Sequence, residues 1–257
     1  MEEKSNDLIH FIEGVAANAW RPAVEQQLAG WRLRFSGGSS RRVNSVWPNQ
    51  LTGELSLEER IDLVEDFYRR HGQPACFQMC AAALPENLAD ALKARGYQDL
   101  KPTSVRTAPV EAVIANSTAP KTEVTQTSKL TDEWFQAYTT ASEYRAESLP
   151  IRRGILSRIG PAANFFVLRA DDQPAAVGLG VVERGWLGVF CVVTFSAYRR
   201  QKFASQVTHG LTTWGIEAGA SQVYLQVMDN NSPALAMYQK LGFEKLYAYW
   251  YSKKGLE

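Results

Sequence analysis

Residues 194–205, Thr-Phe-Ser-Ala-Tyr-Arg-Arg-Gln-Lys-Phe-Ala-Ser, carry the chain from the end of an apolar run into an amphipathic helical pattern. Four polar or basic side chains, Arg199, Arg200, Gln201 and Lys202, stand at the mouth of that helix. A helix N-terminus offers N–H groups with no internal partner and a partial positive charge. Cations conflict with that dipole unless an anion neutralises both, as a phosphate or pyrophosphate would. Composition alone leaves a solvated loop with ordinary arginines open as the alternative. Further along, Asn231 opens a helical pattern that carries Tyr238 and stops at Gly242-Phe243. A phenol of ordinary pKa, about 10, is protonated at neutral pH and can donate. The bland reading of Tyr238 is an aromatic on a buried helix face. Two carboxylates, Glu183 and Asp229, close strand-like runs and are candidate proton acceptors. Glu183 equally fits a turn residue before Arg184-Gly185.

These residues need a scaffold, and the chain is long enough for one. It has 257 residues, 45% of them hydrophobic and 21% charged, as in an ordinary globular protein with a core. A net charge of +1 gives no whole-protein field toward nucleic acid or an anionic membrane. The three cysteines, Cys76, Cys80 and Cys191, lie in apolar runs and fit a reducing compartment better than a disulfide framework. The histidines (His10, His71, His209) are not spaced as ligands, so no metal is expected. The acidic N-terminus does not resemble a secretory signal, and no run approaches membrane-spanning length. The expectation is a soluble cytoplasmic protein.

Periodicity then places the elements. Residues 6–29 predict two short helices broken at Pro22. Trp31, Leu33 and Phe35 alternate with Arg32 and Arg34, turn at Gly37-Gly38 and return through Val43–Trp47 as a hairpin. Ser56 with Glu59 predicts a capping box for a helix that Gly72 ends. A strand at 76–80, a helix over 85–95 closed by Gly96, and a strand near 103–110 complete the first part. Residues 115–129 are poor in large apolar residues and read as a linker. Helical patterns follow around 130–141 and 150–160, then two strands joined by "DDQP". The nearly all-apolar run 185–195 reads as a central strand covered on both faces. This order predicts an α/β arrangement (an α+β mixed sheet) with one crossover.

The chain also repeats itself. "LADALKARGYQDL" (88–100) aligns without a gap on "ALAMYQKLGFEKL" (234–246), so Gly96 matches Gly242, Tyr97 matches Phe243, and Leu92 matches Tyr238. Each segment follows a helix and a short strand. A shared order of elements favours duplication over the common helix stop of glycine plus an aromatic. The first copy has an acidic stretch where the second has Arg199–Lys202.

With these residues in hand, the second half resembles the GNAT superfamily of N-acetyltransferases. "YRRQKFASQV" after "VVT" corresponds to its pyrophosphate motif, with Arg199, Lys202 and Ala204 at the conserved places. Asn231, Ala234, Met237, Tyr238, Gly242 and Phe243 match its later motif. The resemblance implies two GNAT-like units, each a central mixed sheet flanked by helices. They would be a degenerate domain over 1–114 and an acetyltransferase domain over 130–257, joined by the linker. It implies acetyl-CoA as the acyl donor and direct attack by a small-molecule or amino-acid-like amine. Val192, Val193 and Thr194 would offer backbone groups to the pantetheine arm. Arg199, Arg200, Gln201, Lys202, Phe203, Ala204 and Ser205 would hold the pyrophosphate, and Asn231 would lie near the arm. Tyr238 would protonate the leaving thiolate, and Glu183 would take the amine proton. Lys202 stands where the family has a glycine.

Residues 139–153 would cover the cleft, the first half would form its other wall, and Arg32, Arg34, Arg41 and Arg42 could meet an acidic acceptor. Other partners expected are none among nucleic acids or membranes, with the protein a monomer or homodimer. Two further readings stay open: a non-catalytic CoA-binding sensor with this fold, and a scaffold with both halves degenerate.

Overall fold

The computed structural model describes the chain from Glu2 to Gly255. Helix α1 (Glu2–Ala19) buries Ile9, Ile12, Val15, Ala16 and Ala19. It is followed by β1 (Val24–Leu28) and β2 (Trp31–Phe35), paired antiparallel across a turn with Ala29 and Gly30 both at positive φ. That turn suits the twist of a two-residue hairpin. The helix expected over the 20s is therefore a strand. Val24 and Leu28 are one helical turn apart and imitate helical spacing, but four of the five β1 side chains are exposed, as an edge strand allows.

The chain continues through β3 (Val46–Trp47), α2 (Leu57–Arg70), β4 (Cys76–Cys80), α3 (Leu88–Ala94), β5 (Gln98–Asp99), β6 (Thr103–Pro109) and α4 (Val110–Asn116). The second half holds β7 (Val124–Thr127), α5 (Asp132–Ala141), α6 (Leu149–Ser157), β8 (Ala162–Ala170), β9 (Gln173–Glu183), β10 (Trp186–Thr194), α7 (Phe203–Glu217), β11 (Gln222–Met228), α8 (Ser232–Lys240) and β12 (Glu244–Lys253). The stretch 115–129, poor in large side chains, carries the end of α4 and edge strand β7 on β8. Between them Thr118 N donates to Ser205 Oγ at 3.1 Å and Lys121 N to Gln206 Oε1 at 2.9 Å, tying the segment to α7.

The repeat is a repeat of geometry. In both halves a parallel pair is crossed by a helix: β3–α2–β4 and β10–α7–β11. In both, the helix stop is built alike. Tyr97 N donates to Leu92 O and Phe243 N to Tyr238 O, each at 3.0 Å, around Gly96 at φ +83 and Gly242 at φ +92. The halves do not keep separate sheets. All twelve strands form one sheet, in the order β1-β2-β3-β4-β12-β6-β11-β10-β9-β8-β7, with β5 on β12. Strand β6 of the first half pairs with β11 of the second, and β12 of the second pairs with β4 of the first. Each half thus lends its last strand to the other.

Alternation along β12 shows the two faces. Tyr247, Tyr249 and Tyr251 pack with α1, α5 and α6, whereas Trp250 packs with α2 and α3. Under α1 lies a buried polar knot. Glu13 accepts from Tyr247 Oη and Gln78 Nε2, both at 2.5 Å. Arg34, only 2% exposed, donates to Gln78 Oε1 at 2.8 Å and to Ser45 Oγ at 3.0 Å. Arg34 is thus a satisfied core residue, because α1 covers the face that alternation alone leaves to solvent and Gln78 of β4 meets the guanidinium there.

Burial also pushes several weak acids up: Cys76 to about 11, and Cys80, Cys191 and Tyr238 to about 12. Each must ionise in the unfolded chain before it does so in the fold. Their stabilisation is whole below the unfolded pKa values, near 9 for the thiols and 10 for the phenol, and is lost as pH rises toward 12. Urea melts at pH 8 and pH 11 are expected to differ by more than about 3 kcal/mol in favour of pH 8.

Candidate active site

The central strands β10 and β11 run parallel only from Trp186–Val189 against Gln222–Leu225. Beyond that both continue without pairing to each other. The divergence has a local cause. Against β9 the register of β10 slips between Phe190 and Val193, and Cys191 takes φ +53. This bulge sets two residues opposite one and bends the strand away from its neighbour. A cleft of ≈ 720 Å³ opens there, lined by Val192 and Val193 from β10, Gln226–Met228 from β11, and Asn231 and Tyr238. Freed backbone groups along a bent strand can pair with an extended ligand bearing amides.

Asn231 caps α8, its Oδ1 accepting from Ala234 N at 3.3 Å. Among the described residues the amide nitrogen has no partner. Tyr238 packs edge-to-face on Phe243, and its hydroxyl makes no hydrogen bond among the described residues. Burial holds its pKa up at about 12, so the phenol is a persistent donor.

The basic loop stands at the mouth of α7, just after β10. Its side chains do not line the cleft. Lys202 is the N-cap, in the left-handed conformation (φ +66, ψ +11), and no side chain caps the helix. Arg200 is left-handed as well, at φ +65. Non-glycine residues in that region cost on the order of 1 kcal/mol. Gln201 is occupied within the loop, donating to Ala197 O at 3.1 Å, and Arg199 reaches Thr194 O at 3.5 Å. The Phe203 ring is buried against Tyr198, Ala204 follows it in the first turn, and the Ser205 hydroxyl accepts from Thr118 N. What this turn leaves for a ligand is its backbone N–H groups and the cations around them.

The first half has closed the corresponding mouth. At α2, Glu59 N donates to Ser56 Oγ at 3.2 Å and Ser56 N to Glu59 Oε2 at 2.8 Å, a complete capping box followed by acidic residues. An anion has no room in that arrangement.

Glu183 does not belong to the cleft. Strands β9 and β10 are antiparallel, so the residue that ends β9 lies opposite Trp186, where β10 begins, while the cleft opens where β10 ends. Both its oxygens accept from Asn18 Nδ2, at 2.9 and 3.1 Å. Asp229 is also engaged, by Ser104 Oγ and by Lys245 Nζ at 3.7 Å. No Asp or Glu lines the cleft among the described residues.

Its outer wall comes from elements far apart in sequence. The turn 38–42 and Tyr249 and Tyr251 line one side, with Tyr138, Ser142, Tyr144 and Arg152 around α5 and α6 on another. The sequence pointed to residues 139–153 and to Arg41 and Arg42, but gave no sign of Lys101, Lys253 or the β12 tyrosines. Only the exchange of strands, β12 into the first half and β6 into the second, brings those to the cleft. Among the described residues no helix is long and apolar enough to cross a membrane, and no three His, Cys, Asp or Glu side chains gather as a metal site.

A parallel strand–helix–strand crossover, a bulged central strand splayed from its neighbour, an uncapped helix mouth and a tyrosine in the opening define a GNAT N-acetyltransferase. The chain belongs to the family described as "Probable histone acetyltransferase Rv0428c C-terminal", which it matches over residues 7–252. It is 28% identical over 255 residues to an uncharacterised N-acetyltransferase, YobR, of Bacillus subtilis, covering 96% of this chain and 99% of that one. Solved structures share the fold at low identity. A GCN5-related N-acetyltransferase from Kribbella flavida superposes with TM-score 0.66 at 15% identity, covering 96% of each chain. A tandem GNAT protein from the clavulanic acid biosynthesis pathway does so with TM-score 0.63 at 14%, covering 96% of this chain and 88% of that one.

Proposed function

We propose that this chain transfers an acetyl group from acetyl-CoA to the amine of a small molecule by direct attack. The observation that carries this reading is the divergence of β10 and β11, with an uncapped helix mouth beyond β10 and the Tyr238 hydroxyl in the opening. The freed backbone of Val192–Thr194 suits the amides of a pantetheine arm, with the Asn231 amide beside them. The N–H groups from Arg200 to Ser205 suit a pyrophosphate, which would also neutralise Arg199, Arg200 and Lys202. Acetyl-CoA supplies the activated thioester. The bulge leaves backbone groups of β10 unpaired with β11, and an N–H among them would stabilise a carbonyl oxygen as it gains charge. Tyr238, a weaker acid than an ordinary thiol, acts as a hydrogen-bond donor to the departing sulfur. Without a carboxylate in the cleft, the amine proton leaves through water in the open wall.

Lys202 provides the test. Thermal melts with and without acetyl-CoA are to be run on wild type, Lys202→Gly and Lys202→Glu. Glycine relieves the left-handed backbone, so Lys202→Gly is expected to gain about 1 kcal/mol and keep the acetyl-CoA shift. Lys202→Glu is expected to lose most of it. At a hundred times the dissociation constant the wild-type shift corresponds to about 2.7 kcal/mol. No shift at millimolar acetyl-CoA would sink the reading. A shift with no turnover of any amine would favour the sensor, the reading that the strained Lys202 supports.

A further inference from the structure

The outer cleft has a charge pattern that the acetyl-transfer reading does not require. Among the described residues five cations line it, Arg41, Arg42, Lys101, Arg152 and Lys253, and no carboxylate does. The described residues form ion pairs elsewhere in the fold, yet none within 4.0 Å involves any of these five. They come from four separate segments, so no run of basic sequence accounts for them.

Several are held in place by aromatic rings. The Arg152 guanidinium lies 3.3 Å from the centre of the Tyr144 ring, Arg41 lies 5.6 Å from that of Tyr251, and Arg42 lies 5.8 Å from that of Trp20. Two buried donors in the same lining, Trp20 Nε1 and Ser39 Oγ, have no hydrogen-bond partner. Arg42 shares the field of the buried Glu13 carboxyl, but Arg41, Lys101, Arg152 and Lys253 do not; buried donors without partners are costly, and convergent cations without counter-ions repel one another. A ligand bearing an acid group relieves both. The CoA phosphates have a separate seat, at the uncapped mouth of α7 outside this cleft.

Resting on the acetyl-transfer reading, we infer that the acceptor is an amine carrying its own anionic group, a carboxylate or a phosphate. The cations hold that group and direct the amine toward the splayed strands. They also repel polycations, so a lysine-rich peptide is a poor acceptor.

The test compares matched amines with saturating acetyl-CoA: 4-aminobutyrate, its amide, 3-aminopropylphosphonate, spermidine and a lysine-rich histone-tail peptide. The acids are expected to exceed the amide at least tenfold in kcat/KM and to exceed both polycations by more. The better of carboxylate and phosphonate identifies the acid group. Equal rates for acid and amide, or a polycation ranked first, would overturn the inference.

Arg41→Gln with Lys253→Gln, both exposed, is expected to raise KM for the acid at least fivefold while the melting shift from acetyl-CoA stays unchanged. Loss of that shift instead would assign these cations to the donor and overturn the inference. Should no amine turn over, the same probes are ranked by melting shift on the CoA-loaded protein. The inference then stands only if the acids shift the melt and the amide does not. Should acetyl-CoA itself give no shift, the transferase reading fails separately, and the ranking is read on the free protein.

Discussion

Tyr238→Phe is expected to lower kcat for acetyl transfer about 10²–10³-fold, the range for losing one positioned hydrogen-bond donor to developing charge. The melting temperature and the shift produced by acetyl-CoA should remain as in wild type. The Tyr238 hydroxyl has no partner among the described residues, so phenylalanine leaves no donor or acceptor stranded and keeps the edge-to-face contact with Phe243. The phenol is held at about 12 by burial, so it stays protonated across the working range. A rise of kcat/KM with pH would therefore report the amine losing its proton, and that rise should persist in the variant at its reduced level. A variant with wild-type kcat would make Tyr238 a core aromatic and leave the sulfur to depart unaided. Thiol release at saturating acetyl-CoA, followed from pH 6 to 9, separates these outcomes.

Where one short-range interaction fixes an element, the sequence shows it directly. The Ser56–Glu59 box, the turn at Asp171-Asp172 and the two glycine helix stops are all local, and all are in the structure. The central strand is legible because burial on both faces over Leu187–Phe190 leaves it nearly all apolar. Misreadings arise where neighbours along the chain are not neighbours in space. Val24–Leu28 has helical spacing, and only the Ala29-Gly30 turn and the partner β2 make it a strand. Glu183 is placed wrongly for a different reason: being beside the central strand says nothing about which end of it. The antiparallel hairpin sends Glu183 to the end away from the cleft, a point the "ERG" turn already implies. Tyr238, Asn231 and the β10 residues were found because a resemblance located them. The cations at 101 and 253 were beyond reach, since no pattern in one sequence predicts that β6 and β12 cross between the halves.

That crossing predicts how the protein fails when it is cut. Residues 118–257, the second unit with edge strand β7 kept on β8, are expected not to fold, and residues 1–117 supplied in trans are expected to restore them. Strand β6 runs between β11 and β12, in register from Thr103↔Met228 to Pro109↔Gln222 on one side, and paired from Glu244↔Thr107 to Tyr249↔Thr103, with a shift between Lys245 and Tyr247, on the other. Without it, β11 and β12 face each other across the gap of a missing strand. The fragment also loses Val105, Val110 and Val113, all buried to 2% or less. At about 1.5–3 kcal/mol each they amount to about 5–9 kcal/mol, against a usual total of about 5–15. Circular dichroism and a urea melt of the fragment, alone and co-expressed with 1–117, decide it; cooperative unfolding of the fragment alone would show the exchange to be dispensable. The same strands explain why a first half with a closed helix mouth is kept. The tip of β11 that lines the cleft is fixed on its far side by β6, and β12, placed beside β4, sets Tyr249 and Tyr251 next to Arg41 and Arg42. The first half has no open anion seat of its own at α2, and it forms the wall against which the second half's cleft is built.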